Sequence, residues 1–216
     1  MTHLKYLIRD PKTKTENTIL LLMLHGYGSN YDDLFSFAEE LPEELLIISV
    51  QAPIKMQYGG YAWYPIYQGA DGNLHSDINK AKEAREILSV FIDELYEKYQ
   101  FDKEKSILMG FSQGAILSYS LLLSYPEKIK NALCLSGYLM DDLVEFKTQN
   151  NSYEPLDIFC SHGTFDEVIP LYKAEETHQK LEQMSIAHMY KTYPAGHGVA
   201  PQNFTDLVDW INRKIK

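Results

Sequence analysis

Gly110-Phe111-Ser112-Gln113-Gly114 sets a serine between two apolar runs, Ile107-Leu108-Met109 and Ala115-Ile116-Leu117. This reads as a strand, a sharp turn and a helix, with the serine at the apex. A glycine two residues to either side lets the backbone turn without side-chain clash. Such a turn needs a sheet whose strands feed helices, which rules out an all-helical bundle or an antiparallel sandwich. The pentapeptide alone is a weak signal, because chance produces it in roughly one chain in fifteen of this length. Its weight comes from the pattern around it.

That pattern alternates along the chain. Thr18 to Leu24, Leu45 to Val50, Lys105 to Met109, Asn131 to Leu135, Leu156 to Cys160 and Ala187 to Tyr193 read as strands, with Lys5 to Arg9 at an edge. Between them Tyr31 to Leu41, Ser76 to Tyr99, Gln113 to Ser124, Leu171 to Met184 and Pro201 to Ile215 read as helices. The long helix carries Ala81, Ala84, Leu88, Phe91, Ile92 and Leu95 on one face. Ser76 is its expected cap, with Asp77 in the first turn. Pro126 stops the helix after the serine, and Pro201 opens the last one. Continuously apolar strands separated by helices predict a mostly parallel sheet covered on both faces. Ala52 to His75 interrupts the rhythm as a long tyrosine-rich loop with Trp63 inside it.

The chain has 216 residues, so we expect one domain over residues 1–216, without a large cap insertion. Its formal net charge of -10 argues against nucleic acid or an anionic membrane as partner. No apolar run approaches bilayer length, and Met1 to Lys14 lacks a secretory core. Cys134 and Cys160 lie in apolar runs and read as buried thiols of a reducing, cytoplasmic compartment. Neither has metal-ligand spacing, and no metal or cofactor is expected.

A serine hydroxyl is a poor nucleophile unless a base takes its proton and a carboxylate orients the base. Both follow the elbow. Asp166 lies in Ser161-His162-Gly163-Thr164-Phe165-Asp166, just after a strand. His197 lies between glycines in Gly196-His197-Gly198, after another. The order Ser112, Asp166, His197 is that of an α/β-hydrolase fold. Asp141 and Asp142, after the preceding strand, are rival acids. For the oxyanion, the backbone N–H groups of Gln113 and of Tyr27, in Leu24-His25-Gly26-Tyr27-Gly28, are the candidate donors. His25 and His162 read as shaping their loops, while His3, His75, His178 and His188 read as surface histidines.

On these segments the chain resembles the phospholipase/carboxylesterase family of α/β-hydrolases. The matches are Leu24-His25-Gly26-Tyr27-Gly28, Gly110-Phe111-Ser112-Gln113-Gly114, His162-Gly163-Thr164-x-Asp166-x-Val168-x-Pro170 and Gly196-His197-Gly198. Gln51-Ala52-Pro53 and Trp63-Tyr64 are further landmarks, and the resemblance runs from about Ile19 to Ile215. It implies the triad Ser112, Asp166 and His197 and the hydrolysis of esters or thioesters without a metal. Two departures stand out: Tyr27 where leucine is usual, and Tyr64-Pro65 in place of Phe-Asp. Trp63 and Tyr64 are the expected substrate-binding side chains.

The expected function is therefore a serine carboxylesterase acting on a small ester or thioester through an acyl-enzyme. Lysophospholipase and acyl-protein thioesterase are the alternatives among enzymes. A binding module with a decayed site is the alternative outside them. The exposed aromatic residues expected near Trp63 also suit a homodimer contact.

Overall fold

The protein is described by a computed structural model covering residues 2–13, 16–70, 72, 74–147 and 152–216. In chain order the elements are β1 (Tyr6–Arg9), β2 (Ile19–Leu24), α1 (Asp32–Phe35), β3 (Leu45–Val50), β4 (Ile54–Lys55), β5 (Tyr61–Ala62), β6 (Ile66–Gln68), β7 (Leu74–Ser76), α2 (Ile78–Tyr99), β8 (Ile107–Phe111), α3 (Gln113–Ser124), β9 (Asn131–Leu135), β10 (Asp157–Gly163), α4 (Leu171–Gln183), β11 (Ala187–Tyr193) and α5 (Pro201–Ile215). Seven strands form the central sheet in the order β1-β3-β2-β8-β9-β10-β11. Only β1 runs antiparallel to its neighbour, pairing with β3 at the sheet edge. The other pairs are parallel. This is the α/β-hydrolase fold, and no helical cap is inserted among the described residues.

The strands are apolar throughout because both faces of the sheet are covered. Along β2, Leu20, Leu22 and Leu24 pack into one layer with Leu88, Phe91 and Ile92 of α2 and Ile116 and Leu117 of α3. Leu21 and Met23 point the other way, toward Leu34 of α1 and Leu207, Trp210 and Ile211 of α5. The two-residue period of the strand thus feeds two cores. Helix α3 is buried along its whole length, which explains why it is uniformly apolar rather than amphipathic. Each such leucine contributes about 1.5–3 kcal/mol by burial. Cys134 and Cys160 are both buried and unbridged, as partners across β9 and β10.

Several element ends shift by one to three residues from the sequence reading, and three features differ more. The stretch expected as one helix from Tyr31 to Leu41 is α1 followed by a 3-10 turn at Ala38–Glu40. Leu41 is extended there because it precedes Pro42, and a residue before proline is pushed out of the helical region. The cap of α2 is Asp77, whose side chain accepts from the Lys80 N–H at 3.0 Å. Ser76 is not free to cap because it pairs with Ile66 in β7. The segment from Ala52 to His75 is not one irregular loop: it holds two small antiparallel pairs, β4 with β5 and β6 with β7.

A close backbone approach helps lock the elbow to the sheet. A Cβ added to Gly114 would sit 2.0 Å from the Leu24 carbonyl oxygen, so α3 approaches the end of β2 as only a glycine allows. Alanine normally stabilises a helix by about 1 kcal/mol over glycine. Here the sign reverses. Gly114→Ala is expected to lower the melting temperature by on the order of 10 °C, since about 1 kcal/mol moves a chain of this size by 2–4 °C. A thermal melt unchanged or raised by the substitution would refute the contact.

Candidate active site

Ser112 sits at φ 54°, ψ -116°, a conformation that a residue with a side chain rarely adopts. Such positions cost about 1–3 kcal/mol and persist only where the surroundings hold them. Here the Ser112 N–H donates to the Leu135 carbonyl at 2.9 Å, and its own carbonyl accepts from Ala115 N–H at 2.9 Å and Ile116 N–H at 3.1 Å. The peptide unit is fastened to β9 on one side and α3 on the other. The result is a side chain at the C-terminal rim of the sheet, only 8% exposed.

Asp166 and His197 come from neighbouring loops whose meeting is set by strand register. Strands β10 and β11 pair in parallel up to Gly163 opposite Tyr193. The pairing continues beyond the strands: Thr164 N–H donates to Tyr193 at 2.8 Å and Phe165 N–H to Ala195 at 2.9 Å. A Cβ on Gly163 would lie 2.2 Å from the Gly196 carbonyl, so this close approach also requires glycine. Carrying the register onward brings Asp166 Oδ2 to 2.7 Å from His197 Nδ1. His197 Nε2 then lies 2.9 Å from Ser112 Oγ. Asp166 Oδ1 accepts from the N–H groups of Val168 and Ile169, each at 2.9 Å. Two main-chain donors and an imidazole nitrogen fix the orientation of the Asp166 side chain. The rival acids lie elsewhere: Asp141 is exposed and pairs with Lys180, and Asp142 is exposed beside it.

Among the described residues neither the Tyr27 nor the Gln113 backbone N–H has an acceptor. Gln113 stands at the first position of α3, where the helix leaves its donors unpaired. The loop of Tyr27 is held by an antiparallel bridge: Gly28 N–H donates to Tyr61 at 2.9 Å, and Tyr61 N–H to Ser29 at 2.7 Å. His25 is the hub beneath it. Its Nε2 accepts from Ala52 N–H at 3.1 Å and lies 3.2 Å from the Gln51 side-chain amide. Its Nδ1 must then carry the proton, which it gives to the Gly26 carbonyl at 2.8 Å.

Trp63 and Tyr64 are placed differently from the substrate wall expected of them. Both are buried, 2% and 0% exposed. The Trp63 indole N–H donates to the His25 carbonyl at 2.9 Å. The Gln113 side chain grips the same segment from the other side, accepting from Trp63 N–H and donating to the Tyr64 carbonyl, both at 2.9 Å. The Trp63 indole N–H and the main chain of Trp63 and Tyr64 thus tie the loop of Tyr27 to the elbow. Burial also raises the Tyr64 phenol well above the usual range. His25 shapes its loop as the sequence suggested, and Gln113 is a second structural anchor whose side chain the motifs alone did not reveal. His178 and His188, read as surface histidines, are half-buried and hydrogen-bonded to each other at 2.8 Å.

A serine, a histidine and an aspartate in hydrogen-bonded series, at the strand ends of an α/β sheet, define the class of α/β-hydrolases. The model of the phospholipase/carboxylesterase family matches residues 5–215, and the chain belongs to that family of ester hydrolases. It is 25% identical to acyl-protein thioesterase 1 of Candida albicans over 97% of each chain. Its fold is similar to that of esterase PE8, with a TM-score of 0.83 at 23% identity, covering 98% of this chain and 99% of that one. The Bacillus cereus carboxylesterase is similar too, with a TM-score of 0.82 at 23% identity, covering 98% and 95%. Among the described residues no helix is long and apolar enough to cross a membrane.

Burial holds the pKa of His25 below its ordinary value of 6.5. The unfolded chain therefore binds this proton more readily than the folded one. The stability that neutral His25 confers is full above pH 6.5 and is lost as the pH falls through the lowered folded value. Denaturation at a series of pH values is expected to show this loss in the wild type and a flatter dependence in His25→Asn. Equal slopes would show that His25 is not the group titrating.

Proposed function

We propose that the chain is a serine carboxylesterase, one α/β-hydrolase domain over residues 1–216, working through an acyl-enzyme. The observation that carries this reading is the unbroken series Asp166 Oδ2 to His197 Nδ1 at 2.7 Å and His197 Nε2 to Ser112 Oγ at 2.9 Å. Ser112 attacks the acyl carbon while His197 takes its proton. Asp166 keeps the imidazole in the useful tautomer and stabilises its charged form. The Tyr27 and Gln113 N–H groups meet the oxygen that becomes negative; losing one such donor typically costs about 3 kcal/mol in the transition state. His197 then protonates the departing alcohol and later draws a proton from water, which releases the acid.

For a short or polar substrate we assign a cavity of about 510 Å³ that lies to one side of the triad, since none of Ser112, Asp166 and His197 lines it. Tyr138, one of its lining residues, follows Gly137, whose Cβ position lies 3.2 Å from the Ser112 carbonyl. Its walls mix Leu139 and Met140 with Asp141, Lys173, Glu176 and Lys180. An alkyl chain laid along such walls would strip water from charged groups, which is costly. Thioester hydrolysis is the second reading, favoured by the likeness to an acyl-protein thioesterase over nearly the whole chain.

A fluorophosphonate probe is expected to label the wild type and not Ser112→Ala, and the substitution should lower kcat/KM at least about 1000-fold. No labelling of folded wild type would point instead to a binding module. In a series of nitrophenyl esters, acetyl to butyryl groups should be cleaved fastest. Rates that climb steadily to dodecanoyl would overturn the short-substrate reading.

A further inference from the structure

His162 is buried, 1% exposed, at the end of β10, one residue before the loop that carries Asp166. It is fixed in the sheet by pairing with Thr192 of β11. Its Nε2 lies 2.8 Å from the Ile169 carbonyl oxygen and 3.3 Å from Asp166 Oδ2. A carbonyl only accepts, so this nitrogen carries the ring proton. The other nitrogen, Nδ1, is buried without a hydrogen-bond partner. Among the described residues, then, the ring's hydrogen bonding is all on the Nε2 side, which faces the acid loop.

One N–H thus reaches across seven residues and closes the acid loop. Ile169, whose carbonyl it holds, also donates its own N–H to Asp166 Oδ1 at 2.9 Å. The same ring N–H presents its positive end beside Asp166 Oδ2, the oxygen that faces His197. Both carboxylate oxygens are therefore positioned by His162, one through the loop backbone and one through space. We propose that His162 is a positioning residue for the catalytic acid, its Nε2–H fixing the rotation of the Asp166 carboxylate so that Oδ2 meets His197. The inference rests on the triad reading of Ser112, Asp166 and His197 and adds a fourth side chain to it.

The side chain of glutamine can place an N–H where His162 Nε2 stands, and leucine cannot. His162→Leu is expected to lower kcat about 10- to 100-fold with KM nearly unchanged, the scale on which small misplacements act. Fluorophosphonate labelling of Ser112 should slow in parallel, and His162→Gln should restore most of both. A folded His162→Leu enzyme with wild-type kcat would overturn the proposal, and so would a folded His162→Gln no faster than leucine. Should the leucine variant not fold, ring-nitrogen NMR of the active wild type decides. A proton on Nε2 of His162, with a resonance displaced in Asp166→Asn, supports it; a proton on Nδ1, or no displacement, refutes it. Failure of the triad reading itself would look different: Ser112→Ala would keep its activity whatever His162 does.

Discussion

Parallel pairing from β2 through β11 carries the rest of this structure. Because the strands run the same way, each one delivers its following loop to the same rim. Ser112 leaves β8, Asp166 leaves β10, His197 leaves β11, and the loop of Tyr27 leaves β2. The register does more than collect them. Gly163 opposite Tyr193 starts a run of main-chain bonds that continues past both strands. A slip of one residue would move Asp166 along the rim and turn alternate side chains to the wrong layer.

The rim holds groups that are costly to place. Ser112 has an unfavourable backbone conformation, and Asp166 and His162 have side chains fully withdrawn from water. The two apolar layers below supply the stability that offsets them. The region between β4 and α2 takes part in this as well. Tyr61, Trp63 and Tyr64 tie the loop of Tyr27 to the first turn of α3 through main-chain atoms and through the Gln113 side chain. In the proposed mechanism the Tyr27 and Gln113 N–H groups gain from such bracing, since donors that meet a developing charge work best when held in place.

The same arrangement explains where this chain departs from its family's pattern. Tyr27, where the resembled family has leucine, is 40% exposed. Tyr64 is enclosed, so its aromatic bulk serves packing. Phe165 and Val168, flanking Asp166, are 69% and 66% exposed and add apolar surface at the same rim.

Much of this was legible in the chain itself. Uninterrupted apolar runs separated by helical periods determine a parallel sheet with two cores, because no other arrangement buries such strands on both faces. The serine between glycines and the order of serine, aspartate and histidine follow from local chemistry, which requires particular residue types at strand ends. The split of Tyr31 to Leu41 by the residue before Pro42 is local too, but it competes with an equally plausible helical pattern. What only the tertiary structure decided are contacts between segments far apart in sequence. Gln113 holds Trp63, His25 accepts from Ala52, and His162 reaches forward to Ile169. No period or motif encodes these, because a side chain's partner depends on which loops the strand register brings together. For the same reason Trp63 and Tyr64 read as a pocket wall in the chain and became a buried brace in the fold.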